Sequence, residues 1–244
     1  MNFTISCRFT PAAITADQVY GEAIQWVGRL AAAHRDFQEW WALPRGPKDP
    51  FLAFVDEKSV VRLIEDANQQ RKKDFPENPQ WASSGILLTN SGNEKDWGNR
   101  GKVTLSINPG AGDIRLQVGN IERLFSSPGD VAWMLLKALT SDERVRFAQA
   151  NVKQRVNDEL VLYSVDRAPF PHREFLGWMG YVTRPLTQAQ IPDAARLERH
   201  GQGTLILSTP LLDLSDPVAV MKANKVEMSL VDLGLLPVTD PSLQ

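Results

Sequence analysis

Val103-Thr104-Leu105-Ser106-Ile107-Asn108-Pro109-Gly110-Ala111-Gly112-Asp113-Ile114-Arg115-Leu116-Gln117-Val118 reads as two apolar-polar alternating runs joined by a turn of Asn, Pro and Gly. Strand side chains alternate between faces, so each run has one apolar face, and so short a turn returns the second run antiparallel to the first. An antiparallel hairpin at mid-chain is the anchor of the fold.

Working toward the N-terminus, Ile86-Leu87-Leu88-Thr89 reads as a further strand, beyond breakers at Pro76 and Pro79. Asp56 is placed to cap a helix running to about Arg71, with Val60, Leu63, Ile64 and Ala67 inward, and Phe51-Leu52-Ala53-Phe54-Val55 before it reads as a buried strand. The proline-rich Leu43–Pro50 stretch stops a long helix that opens on a capping box, Thr15 with Gln18. Its apolar face runs Val19, Ala23, Trp26, Leu30, Ala33, Phe37, Trp40, with His34 beside it as a packing residue. Phe3, Ile5 and Cys7 alternate with polar residues as a half-buried first strand.

Toward the C-terminus, Ser127-Pro128-Gly129-Asp130 opens a helix with Pro at its first position and a stripe of Val131, Met134, Leu135, Ala138 and Leu139. Strands are expected at Val145–Val152, Leu160–Val165, Leu176–Val182 and Thr204–Ser208. A last helix is capped by Ser215 or Asp216, carries Pro217 in its first turn, buries Ala219, Ala223, Val226, Leu230 and Leu233, and ends at Gly234. Val131-Ala132-Trp133-Met134 and Val218-Ala219-Val220-Met221 echo each other after proline-opened starts. The expected class is α+β, a mostly antiparallel sheet packed against amphipathic helices. Two organisations stay open: a single domain over 1–244, or two related α/β halves at about 1–140 and 141–244.

The 244 residues are 43% hydrophobic and 23% charged, an ordinary globular composition, and the net charge of −2 lacks the basic excess of a dedicated nucleic-acid binder. One cysteine, Cys7, excludes an internal disulfide and a multi-cysteine zinc site. The N-terminus has no basic-then-apolar leader and no stretch long enough to span a bilayer, so a soluble cytoplasmic protein is expected.

Reactive chemistry leaves few marks. His34, His172 and His200 lack metal-ligand spacing, no glycine-rich phosphate loop or G-x-S-x-G elbow occurs, and Gly201-Gln202-Gly203 precedes a strand and reads as a turn. Cys7, in a strand, reads as a small hydrophobe. Adjacent acids such as Asp56-Glu57, Glu65-Asp66, Asp142-Glu143 and Asp158-Glu159 supply carboxylates, yet such pairs near helix starts commonly cap or solvate. Exposure is more informative. Ser91–Gly101 is polar and turn-rich but carries Trp97 among Glu94 and Asp96, the composition of a protein-binding hot spot or of a lid folded back on the core. Asp166–Glu174, with Pro169, Phe170, Pro171 and His172, poses the same alternative. Residues 205–244 carry Asp213, Asp216, Glu227, Asp232 and Asp240 against Lys222 and Lys225, an acidic stretch suited to solvation or to steering a basic partner.

A sequence of small motifs begins at Gly177-Trp178-Met179-Gly180-Tyr181-Val182 and continues through Ile191-Pro192, Gly203-Thr204-Leu205-Ile206-Leu207 and Asp216-Pro217 to Leu233-Gly234-Leu235-Leu236-Pro237. In this order they resemble immunity family 52 of the bacterial polymorphic-toxin systems, which includes type VI secretion immunity proteins. The likeness covers the last quarter of the chain. It implies a binding protein whose motifs are fold determinants, with no catalytic residue, cofactor or metal. It implies as partner a toxin bearing a restriction-endonuclease-like nuclease domain, encoded beside it and neutralised in the cytoplasm without direct nucleic-acid or membrane contact. Glu94, Asp96 and Trp97 are the first expected contact residues, Asp56 and Glu57 the second. A carboxylate-dependent hydrolase and an effector-loading adaptor are the alternatives.

Overall fold

Alternation buries Phe3, Ile5 and Cys7 along β1 (Asn2–Arg8). The capping box then opens α1 (Ala16–Ala33): the Thr15 hydroxyl accepts from the Gln18 amide, and the Gln18 side chain from the Thr15 amide. Val19, Ala23, Trp26 and Leu30 face inward, but the helix stops at Ala33, short of the Trp40 its apolar spacing predicts. The cause is His34, whose extended backbone and imidazole, accepting the Asp36 amide at 3.3 Å, start a 3-10 turn over Arg35–Phe37. Phe37 and Trp40 are therefore buried from a turn, and the Trp40 indole donates to the Phe37 carbonyl at 2.8 Å.

Two short strands follow, β2 (Trp41–Ala42) and β3 (Leu52–Ala53). The strand expected over Phe51–Val55 is cut short because the Asp56 carboxylate, accepting the Ser59 amide, turns the chain into α2 (Glu57–Asp74), which buries Val60 and Ile64. After β4 (Ile86–Thr89), the polar, turn-rich Ser91–Gly101 segment winds into a short helix, α3 (Glu94–Asn99). The hairpin forms as its alternation predicts: β5 (Thr104–Asn108) pairs with β6 (Asp113–Val118), setting Leu105 opposite Leu116 and Ile107 opposite Ile114.

Beyond α4 (Ile121–Leu124), α5 (Pro128–Leu139) has Pro128 at its start, but the Ser127 side chain makes no capping bond. Its buried face is wider than the expected stripe, taking in Ala132, Trp133 and Leu136 and turning Met134 outward. β7 (Phe147–Val156) meets β8 (Glu159–Leu162) through Asn157-Asp158, both left-handed (φ 48 and 66), as a two-residue hairpin with the strands' own twist requires. The strand expected to Val165 ends at Leu162 because the Asp166 carboxylate takes the Leu162 amide at 2.7 Å and the chain enters a π-turn over Tyr163–Arg167. β9 (Met179–Val182), β10 (Arg196–His200), β11 (Gly203–Leu207) and α6 (Pro217–Asp232) follow. The Asp216 carboxylate caps α6 through the Val218 amide at 2.9 Å.

The structure, a computed structural model, describes residues 1–43, 46, 49–77, 85–239 and 242. Pro44, Pro47 and Pro79, read as breakers, and Asp240 of the acidic stretch lie outside them. The fold is α+β with a mostly antiparallel sheet and helices packed on it. The chain divides into two compact units, Arg8–Gly119 and Met1–Cys7 with Asn120–Gln244. Within the first, strands run β6-β5-β4-β2-β3, every pair antiparallel. Within the second they run β10-β11-β9-β7-β1, with β8 also on β7.

β10 escapes a periodicity reading because Arg196-Leu197-Glu198-Arg199-His200 is mostly charged, the composition that protects an edge strand. Lys137 and Arg196 both pair with Glu198, and the Lys137 ammonium holds that carboxyl below its ordinary range. Gly203 is required by close approach: a Cβ there would lie 2.1 Å from the Val182 carbonyl and 2.7 Å from the Tyr181 ring. Leu176, Val182, Ile191, Ile206, Val226 and Leu230 form the core beneath α6.

Candidate functional site

The five expected contact residues lie in the Arg8–Gly119 unit, at the starts of two helices. Asn93 caps α3 by accepting the Asp96 amide at 2.9 Å, and its own side-chain amide donates to the Asp96 carboxylate at 2.7 Å. Trp97 is half-buried: its indole donates to the Val103 carbonyl at 3.0 Å, and the Lys102 ammonium sits 5.8 Å from its ring centroid. Trp97 thus braces its own loop, while Glu94 stands exposed beside it. Asp56 spends its carboxylate on the α2 cap, and Glu57 is exposed in the next position. The Tyr20 hydroxyl, donating to the Phe54 carbonyl at 3.0 Å, is raised in pKa by burial and by the Glu57 and Asp56 charges. Carboxylates at helix starts are stabilised by the helix dipole and can receive a partner's Arg or Lys.

Asp166–Glu174 is tied down at its C-terminal end. Glu174 donates its amide to the Pro237 carbonyl, the Arg173 guanidinium donates to the Leu236 carbonyl, and the His172 carbonyl accepts the Thr239 amide.

The perturbed groups are interior. Burial pushes the Cys7 thiol up, so it stays protonated, as a small hydrophobe should. Glu227, counted with the acidic stretch, lies instead in the inward stripe of α6 at 1% exposure, a correction to its reading as a surface charge. One of its oxygens, Oε1, accepts the amides of Leu176 and Gly177 at 2.9 and 2.8 Å. Burial outweighs those bonds and pushes its carboxyl up to about 7. Tyr163, buried beside it and raised by desolvation and the Glu227 charge, donates its hydroxyl to Asn224 Oδ1 at 3.0 Å.

Asn224 opens onto the surface. Pro217, Val220, Met221, Asn224, Lys225 and Met228 form a second stripe on α6, turned away from the buried one, and line a groove of about 660 Å³. Val156 and Leu214 extend its apolar lining and Arg167 of the π-turn adds a cation. Met221 and Met228 are 48% and 52% exposed, and Val218 on the same helix is 53% exposed. The sequence carried the signal, since Met221, Lys225 and Met228 recur at spacings of four and three. A helix apolar on both sides shows two such stripes.

Among the described residues, no three His, Cys, Asp or Glu side chains gather where they could hold a metal, and no helix is long and apolar enough to cross a membrane. No protein-family model matches the chain. No curated protein matches it in sequence. No match to immunity family 52 is found. Among solved structures the chain is similar to the Pseudomonas aeruginosa T6SS protein PA0821, at 12% identity and a TM-score of 0.49, over 93% of this chain and 72% of that one.

Proposed function

We propose that this chain is an immunity protein that binds a cognate secreted nuclease toxin and neutralises it, protecting the producing cell from itself and its siblings. The observation that carries the reading is where the fold puts its chemistry. Glu227, Tyr163 and Cys7, the groups most shifted from ordinary titration, are sealed in the interior. Methionine and valine side chains that could have been buried stand outside along α6 and the π-turn. A protein built this way acts through a surface.

The motif order supplies the kind of partner, and two of the motifs have a structural duty: the Gly177 amide donates to Glu227, the Trp178 indole donates to the Thr209 carbonyl, and Gly203 admits the neighbouring strand. Such motifs fix a scaffold and leave its surface to match the partner. A nuclease threatens the chromosome, so its immunity protein works in the cytoplasm. Glu227 is the group closest to a general acid or base, but it reaches the groove only through Tyr163 and Asn224, which is why the hydrolase alternative stands second.

Cells producing the toxin encoded beside this gene should survive only when the chain is co-expressed. Asp96→Lys and Glu94→Lys together should reduce that protection if the α3 carboxylates meet the toxin. Unchanged killing with the wild-type chain present at comparable levels would reject the immunity reading, and unchanged protection by the double variant would remove α3 from the interface.

A further inference from the structure

We infer that Glu227, Tyr163 and Asn224 form a proton-operated relay: gain or loss of one proton at the buried carboxyl reverses a chain of hydrogen bonds and decides whether the Asn224 amide shows a donor or an acceptor to the α6 groove. The relay belongs to the fold itself and does not depend on what the chain binds.

The geometry starts at Glu227, whose Oε1 accepts the Leu176 and Gly177 amides at 2.9 and 2.8 Å. Those donors are backbone and stay in place whatever the carboxyl's charge. The side chain that acts on the same carboxyl is Tyr163, whose ring is wholly buried and whose hydroxyl is within hydrogen-bond reach of it. That hydroxyl has one proton and two acceptors to choose from, the Glu227 carboxylate and Asn224 Oδ1 at 3.0 Å. Asn224, three positions before Glu227 on α6, is half-buried and lines the groove. The charged groups of the neighbouring elements are engaged elsewhere. Glu174, ahead of the two amides, meets the Gln149 side-chain nitrogen at 3.2 Å, and Arg173 beside it donates to the Leu236 carbonyl. His172 precedes them, with its carbonyl on the Thr239 amide. On the π-turn, Asp166 accepts the Leu162 amide and Arg167 donates to the Asp166 carbonyl, while on α6 Lys225 faces Asp193 at 3.6 Å. Besides burial, only the two amides and the Tyr163 hydroxyl shift the Glu227 carboxyl.

The chain of bonds has two self-consistent states. With Glu227 protonated, its O–H donates to the Tyr163 oxygen and the Tyr163 hydroxyl donates to Asn224 Oδ1, the direction the structure shows, so that Nδ2 is left to the groove. With Glu227 ionised, the carboxylate only accepts, and the Tyr163 hydroxyl turns to it. The Tyr163 oxygen then takes a hydrogen from Asn224 Nδ2 once the amide has rotated, and Oδ1 is left to the groove. A buried carboxylate short of a donor costs more than rotating an amide, so ionisation drives the reversal. One proton passes between solvent and Glu227, and every other change is rotation about single bonds. Burial sets the exchange at about 7, while Tyr163, raised by the same burial, keeps its proton throughout.

The experiment follows the full-length chain by proton–nitrogen NMR from pH 5 to 9, reading the backbone amides of Leu176 and Gly177 and the side-chain amide of Asn224. In wild type all three should titrate with one shared midpoint near 7. Tyr163→Phe, which removes the single hydroxyl and keeps the ring, should leave the two backbone amides titrating and abolish the Asn224 response. Glu227→Gln should silence all three and hold the Asn224 amide at its wild-type low-pH position. Wild type in which Leu176 and Gly177 titrate and Asn224 does not overturns the relay without any variant. So does an Asn224 titration that survives Tyr163→Phe or Glu227→Gln, and so does the absence of any titration at the three amides.

Discussion

Gly177→Ala is expected to destabilise the protein by about 2–5 kcal/mol, combining about 1–2 kcal/mol for a left-handed alanine with about 1–3 kcal/mol for overpacking. Gly177 has φ +73°, and a Cβ there would lie 2.3 Å from the Ala150 carbonyl oxygen. That carbonyl cannot step aside, because it accepts the Trp178 amide at 2.9 Å, while the Ala150 amide donates to Leu176 at 3.1 Å. Glu227 holds the same segment through the Leu176 and Gly177 amides. Urea unfolding should show a lower midpoint with an unchanged slope. Gly21→Ala is the control: it lies inside α1 with nothing within 4 Å of the new methyl, and alanine there should stabilise by about 1 kcal/mol. Equal midpoints for wild type and Gly177→Ala would refute the clamp.

The second large effect is a pH dependence of stability from Glu227. Burial raises its folded-state pKa from 4.5 to about 7, so between those values the folded chain holds a proton that the unfolded chain has lost. Stability from this group is therefore fully present below pH 4.5 and is lost as pH rises through about 7. A shift of that size corresponds to about 3 kcal/mol. Glu227→Gln keeps an oxygen for the Leu176 and Gly177 amides without a titrating charge, and should flatten this part of the profile measured by denaturant unfolding from pH 4 to 8. A wild-type profile that the substitution leaves unaltered would assign the dependence to other groups.

These two residues mark where sequence reading stops. Periodicity and punctuation suffice where one local rule acts: the alternation around Asn108–Asp113 gives the hairpin, and Asp56 and Asp216 cap the helices they precede. Glu227 sits four residues after Ala223 and three before Leu230, squarely in the inward stripe, yet a carboxylate reads as a surface residue until its amide partners fifty positions away are known. β10 fails for the opposite reason, since an edge strand is guarded by charge rather than marked by apolar alternation. α1 ends early because His34 captures an amide, a choice that apolar spacing does not register.

The residue types expected at the contact are present, but several are already engaged within the chain. Asp96 and Asp56 are carboxylates at helix starts as read, but their oxygens already serve Asn93 and the α2 cap, and Trp97 is fastened to Val103. The groove was hidden because the outer stripe of α6 gains its meaning from Arg167, Leu214 and Val156, which the fold brings in from other segments.

The most direct test of the immunity assignment is to titrate the purified chain into a DNA-cleavage assay of the toxin encoded beside its gene, recording residual cleavage against molar ratio. The account predicts that cleavage falls linearly to zero at a fixed, low ratio, the mark of a tight stoichiometric inhibitor. Undiminished cleavage at large molar excess would contradict it.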